Sequence, residues 1–69
     1  MTLTDAQANV LTYLRDYLAR NGYPPTRREI AGHCGFASQN AAQGHLEALA
    51  RKGAIGVVPG VARGIRVLA

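Results

Sequence analysis

Two histidines and one cysteine, His33, Cys34 and His45, are the chain's only imidazole and thiol groups, and they crowd into one short stretch. Three such groups hold zinc only if they converge on one point. Their spacing opposes this, because adjacent helical residues such as His33 and Cys34 project about 100° apart. Cys34 reads instead as apolar filler, and the histidines as partly exposed polar groups. His45, beside a buried stripe, is expected to bond a phosphate or a backbone group. No acid, base and nucleophile cluster in the sequence, so no metal, no cofactor and no enzymatic activity is expected.

A different chemistry is concentrated after Ser38. Ala42, Leu46 and Leu49 recur at helical spacing and define a buried stripe. Rotation about the helix axis then places Asn40, Ala41, Gly44, Ala48 and Arg51 on the opposite side. Three of those five are glycine or alanine, which lets a helix backbone approach another surface closely, such as the floor of a groove. The Asn40 amide can make two hydrogen bonds to an adenine edge, and Ala41 suits a thymine methyl. Gln39 and Gln43 flank the stripe and can also reach adenine. Gly44 costs about 1 kcal/mol against alanine in a helix interior, so a reason for it is worth seeking. A merely solvated face is the competing reading.

The charge distribution points the same way. The chain has 69 residues and a net charge of +4. Residues 1–25 are neutral, with Arg15 and Arg20 against Asp5 and Asp16, while residues 26–69 hold six basic residues against two acidic ones. A basic region of this kind suggests a polyanionic partner. Arg27 and Arg28 stand at the start of a helix, where free amides also favour an anion. Arg51 and Lys52 stand at the end of another, where the helix dipole alone could explain them. Arg63 lies in a turn, expected to be free to reach a neighbouring backbone or a minor groove. These five are the candidate phosphate contacts.

The elements that must position these groups are legible in order. Thr4-Asp5-Ala6-Gln7 has capping-box spacing, Val10, Leu11, Leu14, Tyr17 and Leu18 form one apolar stripe, and Asn21-Gly22 followed by Pro24-Pro25 stops the first helix. Thr26-Arg27-Arg28-Glu29 is a second capping box, opening a helix of about two turns that Gly35 ends. Phe36 is expected to plug the core beneath the tight link to Ser38, the next N-cap. The third helix should run from Ser38 to about Lys52, with Gly53 capping it. Residues 54–58 and 64–68 read as two short strands, with Ile55, Val57, Ile65 and Val67 facing inward and a turn from Pro59 to Arg63 between them. The predicted fold is mainly α with a small β-hairpin: three helices and a two-stranded antiparallel wing, in a single domain of residues 1–69. No apolar run reaches the roughly 18 residues of a membrane span, Met1 opens no signal peptide, and a single cysteine suits a reducing cytoplasm.

Two short helices joined by a glycine-containing turn form a helix-turn-helix, whose second helix enters the major groove; a hairpin after it makes the winged variant. Duplex DNA is therefore the expected partner, read by helix 38–52 with wing residues 59–64 near the backbone or minor groove. The rival reading is a helical protein-interaction module whose basic surface takes an acidic partner.

The residues Pro24-Pro25-Thr26-Arg27, Glu29-Ile30-Ala31, Gly35-Phe36, Ser38, Asn40-Ala41-Ala42, His45-Leu46, Ala48 through Ile55 and Arg63-Gly64-Ile65-Arg66 resemble the N-terminal DNA-binding domain of the LexA repressor family. The resemblance covers nearly the whole chain. It implies a bacterial repressor of DNA-damage (SOS) genes, in which Ser38, Asn40 and Ala41 approach operator bases. It also implies pairing on palindromic half-sites, with the isolated chain monomeric. Two further positions, typically acidic in the best-known members, are Gln43 and Gly44 here. That removes two carboxylates able to accept from cytosine amino groups and predicts an altered half-site.

A second departure concerns cleavage. Family members carry a C-terminal domain that dimerises and cleaves the repressor with a serine nucleophile and a lysine base; that domain is expected to be absent here, since the sequence ends at Ala69. The only serine is Ser38 and the only lysine Lys52. On one helix they would stand roughly 21 Å apart, far beyond the ~3 Å that general-base activation needs.

Overall fold

Residues 2–69 are described by a computed structural model. Three helices, α1 (Asp5–Asn21), α2 (Arg27–Cys34) and α3 (Gln39–Arg51), precede strands β1 (Ile55–Val57) and β2 (Ile65–Val67). The capping chemistry read from the sequence sets the starts of α1 and α2. Thr4 and Gln7, and likewise Thr26 and Glu29, exchange side-chain and backbone hydrogen bonds as reciprocal boxes, satisfying amides that have no partner inside a helix. Ser38 opens α3, its hydroxyl oxygen accepting from the Ala41 amide at 3.3 Å.

The helix ends are equally specific. At the end of α3 the Gly53 N–H donates to Ala50 O and the Ala54 N–H to Leu49 O. Gly53 takes φ +78° there, a left-handed position that glycine occupies without a Cβ penalty. This reversal turns the chain from α3 directly into β1. β1 pairs antiparallel with β2, Ile55 opposite Val67, Gly56 opposite Arg66 and Val57 opposite Ile65.

Val10, Leu11 and Leu14 of α1, Ile30 and Ala31 of α2, and Ala42, Leu46 and Leu49 of α3 close over Ala54, Ile55 and Ile65 to form one core. Each large side chain fully removed from water contributes about 1.5–3 kcal/mol. That support matters most for α2, whose eight residues are too few to hold a helix alone.

Several expectations about the core are corrected. Leu18 is 37% exposed and Tyr17 only half-buried, because the last turn of α1 carries an aromatic and ionic cluster in place of core. Phe36 is half-buried, lying against the rim of the core with its ring stacked on His45, centroids 4.7 Å apart. His45 thus packs on an aromatic ring. Cys34 is also only half-buried, and burial pushes its thiol pKa up. The strands are three residues each, shorter than expected, and Val57 is exposed. Its strand neighbour Ile55 is buried, whereas Val57 stands at the wing end of β1, beside a cleft it lines with Arg27, Gln43 and Leu46.

Candidate nucleic-acid interface

α3 presents the face predicted for it. Gln39, Asn40, Gly44 and Arg51 are exposed, Ala41 and Ala48 half-buried, and Ala42, Leu46 and Leu49 buried behind them. A Cβ built on Gly44 would meet nothing within 4 Å. No neighbour in this fold therefore requires a glycine there, and the helix-propensity cost has no reason internal to the chain. Ser38 is exposed beside them, at the helix N-terminus.

Gln43 is held in one orientation. Its Oε1 accepts from Arg27 Nη1 at 2.8 Å, and its Nε2 donates to Glu47 Oε1 at 3.1 Å. The first bond links α2 to α3 across the helix-turn-helix; the second is an i, i+4 pair along one helix face. One N–H of the amide remains to donate. Glu47, which the sequence reading passed over, is exposed and can accept from a cytosine amino group. Its four-residue spacing from Gln43 was the signal that could have found it.

The five candidate phosphate contacts divide. Arg28 and Arg51 are exposed and make no side-chain hydrogen bond among the described residues; Arg27 is exposed and bound to Gln43. Arg27 and Arg28 open α2, and Arg51 ends α3. Lys52 is exposed too, but two of its N–H donors are engaged: its Nζ donates to Thr2 O at 2.8 Å and Gln7 Oε1 at 2.6 Å. Those bonds tie the end of α3 to the start of α1.

Arg63 is not free either. Its Nη1 donates to Pro24 O at 2.8 Å and pairs with Glu29 Oε1 at 2.9 Å. Tyr17 Oη lies 3.3 Å away, and the guanidinium sits 4.7 Å from the Tyr23 ring centroid. Glu29 accepts from the Thr26 amide at 2.8 Å and the Tyr17 hydroxyl at 2.9 Å. The Thr26 amide, the Tyr17 hydroxyl and Arg63 together hold the Glu29 carboxyl down to about 2, since each favours the ionised form. Their separation in sequence, 34 residues between Glu29 and Arg63, left no local signal for the pairing.

The remaining reactive groups do not converge. The His33 ring stacks on Tyr13, centroids 4.1 Å apart. No group of three metal-ligating residues comes together among the described residues. Ser38 and Lys52 cap opposite ends of α3, roughly 20 Å apart at 1.5 Å per residue, so no serine–lysine dyad forms within the chain.

Three helices, the third with one face buried and the other exposed, followed by a two-stranded antiparallel hairpin, define a winged helix-turn-helix module. The sequence pattern of the LexA DNA binding domain matches residues 1–64. The chain is 60% identical over 67 residues to the LexA repressor of Marinobacter nauticus and 57% identical over 67 residues to that of Pseudomonas chlororaphis. Against the LexA repressor of Hahella chejuensis it is 55% identical over 65 residues. These matches cover 97%, 97% and 94% of the chain, and 33%, 33% and 32% of the relatives. The chain belongs to the LexA DNA-binding-domain family, and it spans about a third of the length of the curated relatives it matches. No helix among the described residues is long and apolar enough to cross a membrane.

Proposed function

We propose that this chain binds duplex DNA sequence-specifically, as the DNA-binding domain of a transcriptional repressor of DNA-damage (SOS) genes. α3 enters the major groove. Ser38, Gln39, Asn40, Ala41, Gln43 and Gly44 face the base edges, and the wing, residues 59–64, lies near the backbone or minor groove. Arg27, Arg28 and Arg51 neutralise phosphates on either side. Two copies occupy palindromic half-sites, each a monomer when free, in the cytoplasm and on the nucleoid. The observation that carries this reading is the open face of α3. Asn40 and Gly44 are exposed, with nothing within 4 Å of a Gly44 Cβ, and the three arginines frame them.

The half-site should differ from one read by carboxylates at positions 43 and 44. Gln43 has one N–H left to donate, so it favours a base-edge acceptor such as guanine O6 or N7, adenine N7 or thymine O4. Selection from random-sequence duplexes tests the proposal. Enrichment of a palindromic motif is the expected result. Recovery of unenriched sequence, with binding instead to an acidic protein, would support an interaction module and defeat the DNA reading.

A further inference from the structure

We propose that Arg63 acts on DNA as a positioning residue and not as a phosphate ligand: clasped to Glu29, Tyr17 and Pro24, it sets the pose in which the wing meets the duplex. The proposal rests on the DNA-binding reading above and adds what holds the wing.

The wing turn is tight and needs a handle. The Val58 N–H donates to Gly64 O at 2.7 Å and the Gly64 N–H to Val61 O at 3.0 Å. A Cβ on Gly64 would fall 2.7 Å from Val58 O and 2.9 Å from the Val61 Cβ. The turn is therefore closed over Gly64, and its tip residues Val58 and Val61 are exposed. Strands of three residues cannot fix such a turn alone.

Arg63, next to Gly64, reaches away from the tip and back to the helices. Its partners come from three segments: Tyr17 of α1, Tyr23 and Pro24 of the α1–α2 link, and Glu29 of α2. Glu29 is in turn fixed by the Thr26 amide and the Tyr17 hydroxyl. The wing is thus registered against the first helix of the helix-turn-helix, and through it against α3. Both Nη1 protons of Arg63 are committed to this cluster, and its charge faces a carboxylate.

The two roles predict opposite signs for one substitution. Glu29→Gln keeps the Oε1 that accepts from the Thr26 amide and faces Arg63 Nη1, and so keeps the cap, but it removes the negative charge opposite Arg63 and puts an amide N–H where Oε2 accepts from the Tyr17 hydroxyl. If Arg63 were a phosphate ligand, this would release it and tighten binding to DNA. If Arg63 positions the wing, losing the ionic part of the anchor weakens binding although the protein becomes more positive.

The experiment measures binding of the wild-type chain, Glu29→Gln, Arg63→Ala and the double variant to a random-sequence duplex pool and to the best duplex selected from it, across salt concentrations. Hydrogen exchange at the Val58 and Gly64 amides is followed without DNA. The clasp predicts that each single variant loses about three- to tenfold in affinity for the selected duplex. The double variant should lose no more than the worse single, and both singles should exchange faster at the two amides. The log–log salt slope of Arg63→Ala should stay that of wild type. Tighter or unchanged binding by Glu29→Gln, additive losses, unaltered amide exchange, or a slope shallower by about 0.9 in Arg63→Ala would each overturn the proposal. Failure of the wild-type chain to bind any duplex at low salt would defeat the DNA-binding reading and this proposal with it, and the exchange data distinguish that outcome from failure of the clasp.

Discussion

Replacing Gly44 by leucine should make the domain more stable and a poorer DNA binder at once. Gly44 is the sixth of thirteen residues in α3, deep enough that helix propensity applies in full. Leucine lies within a few tenths of a kcal/mol of alanine on that scale, and glycine about 0.8–1 kcal/mol below it. A Cβ at this position meets no atom within 4 Å, and the position is exposed, so the side chain can extend into solvent. The expected stabilisation is about 0.5–1 kcal/mol, which raises Tm by roughly 3–8 °C for a domain of this size. Gly32 of α2 is equally unobstructed, so Gly32→Ala serves as a measure of the propensity gain alone. On DNA the leucine side chain would stand between the helix backbone and the groove floor. We expect a loss of at least tenfold, or about 1.4 kcal/mol, for the selected duplex. Thermal melts followed by fluorescence-anisotropy titration read both effects. Stabilisation without loss of affinity would show that this face does not dock; destabilisation would show that the space around Gly44 is not open.

Asn40→Ala should lose about 1–3 kcal/mol of discrimination at one base position, seen as a relaxed position when the random-duplex selection is repeated. Arg51→Ala should weaken all duplexes about equally and make the salt slope shallower by about 0.9; a sequence-selective loss would assign Arg51 to base edges instead. Stability should also depend on Glu29 at acid pH. Its folded pKa, about 2 against an ordinary value of 4.5, means that its contribution is complete above about pH 4.5 and is lost as pH falls toward 2. Melts from pH 7 to 2 should show Glu29→Gln falling less steeply than wild type across that window, and parallel curves would contradict the assignment.

How far the sequence was legible followed the range of the interactions involved. Thr4, Thr26 and Ser38 announce their helices because a cap is made within four residues, and the Ala42, Leu46 and Leu49 stripe fixes the rotation of α3. Ser38, Asn40, Gly44, Arg28 and Arg51 accordingly lie where periodicity puts them, at the surface. Lys52 and Arg63 have intramolecular partners that the sequence did not show, for a common reason. Each was judged by its own element, but its partners are distant in sequence: Gln7 and Thr2 for Lys52, Glu29, Tyr17 and Pro24 for Arg63. Phe36 and Leu18 show the same limit in the core. Hydrophobicity marks a residue for burial, but the end of the helical layer decides how much is covered. Val57 alternates correctly along its strand, yet it lines an open cleft beside α2 and α3 and stays exposed while its partner Ile65 is buried.

The central claim, that the open face of α3 docks on duplex DNA, is tested most directly by the salt dependence of binding to a selected duplex. In the proposed pose Arg27, Arg28 and Arg51, with the helix N-termini beside Arg27 and Arg28, would neutralise about three to four phosphates. The log–log slope should then be about −2.7 to −3.6. A slope near zero, or no binding to duplex DNA at low salt, would contradict the account.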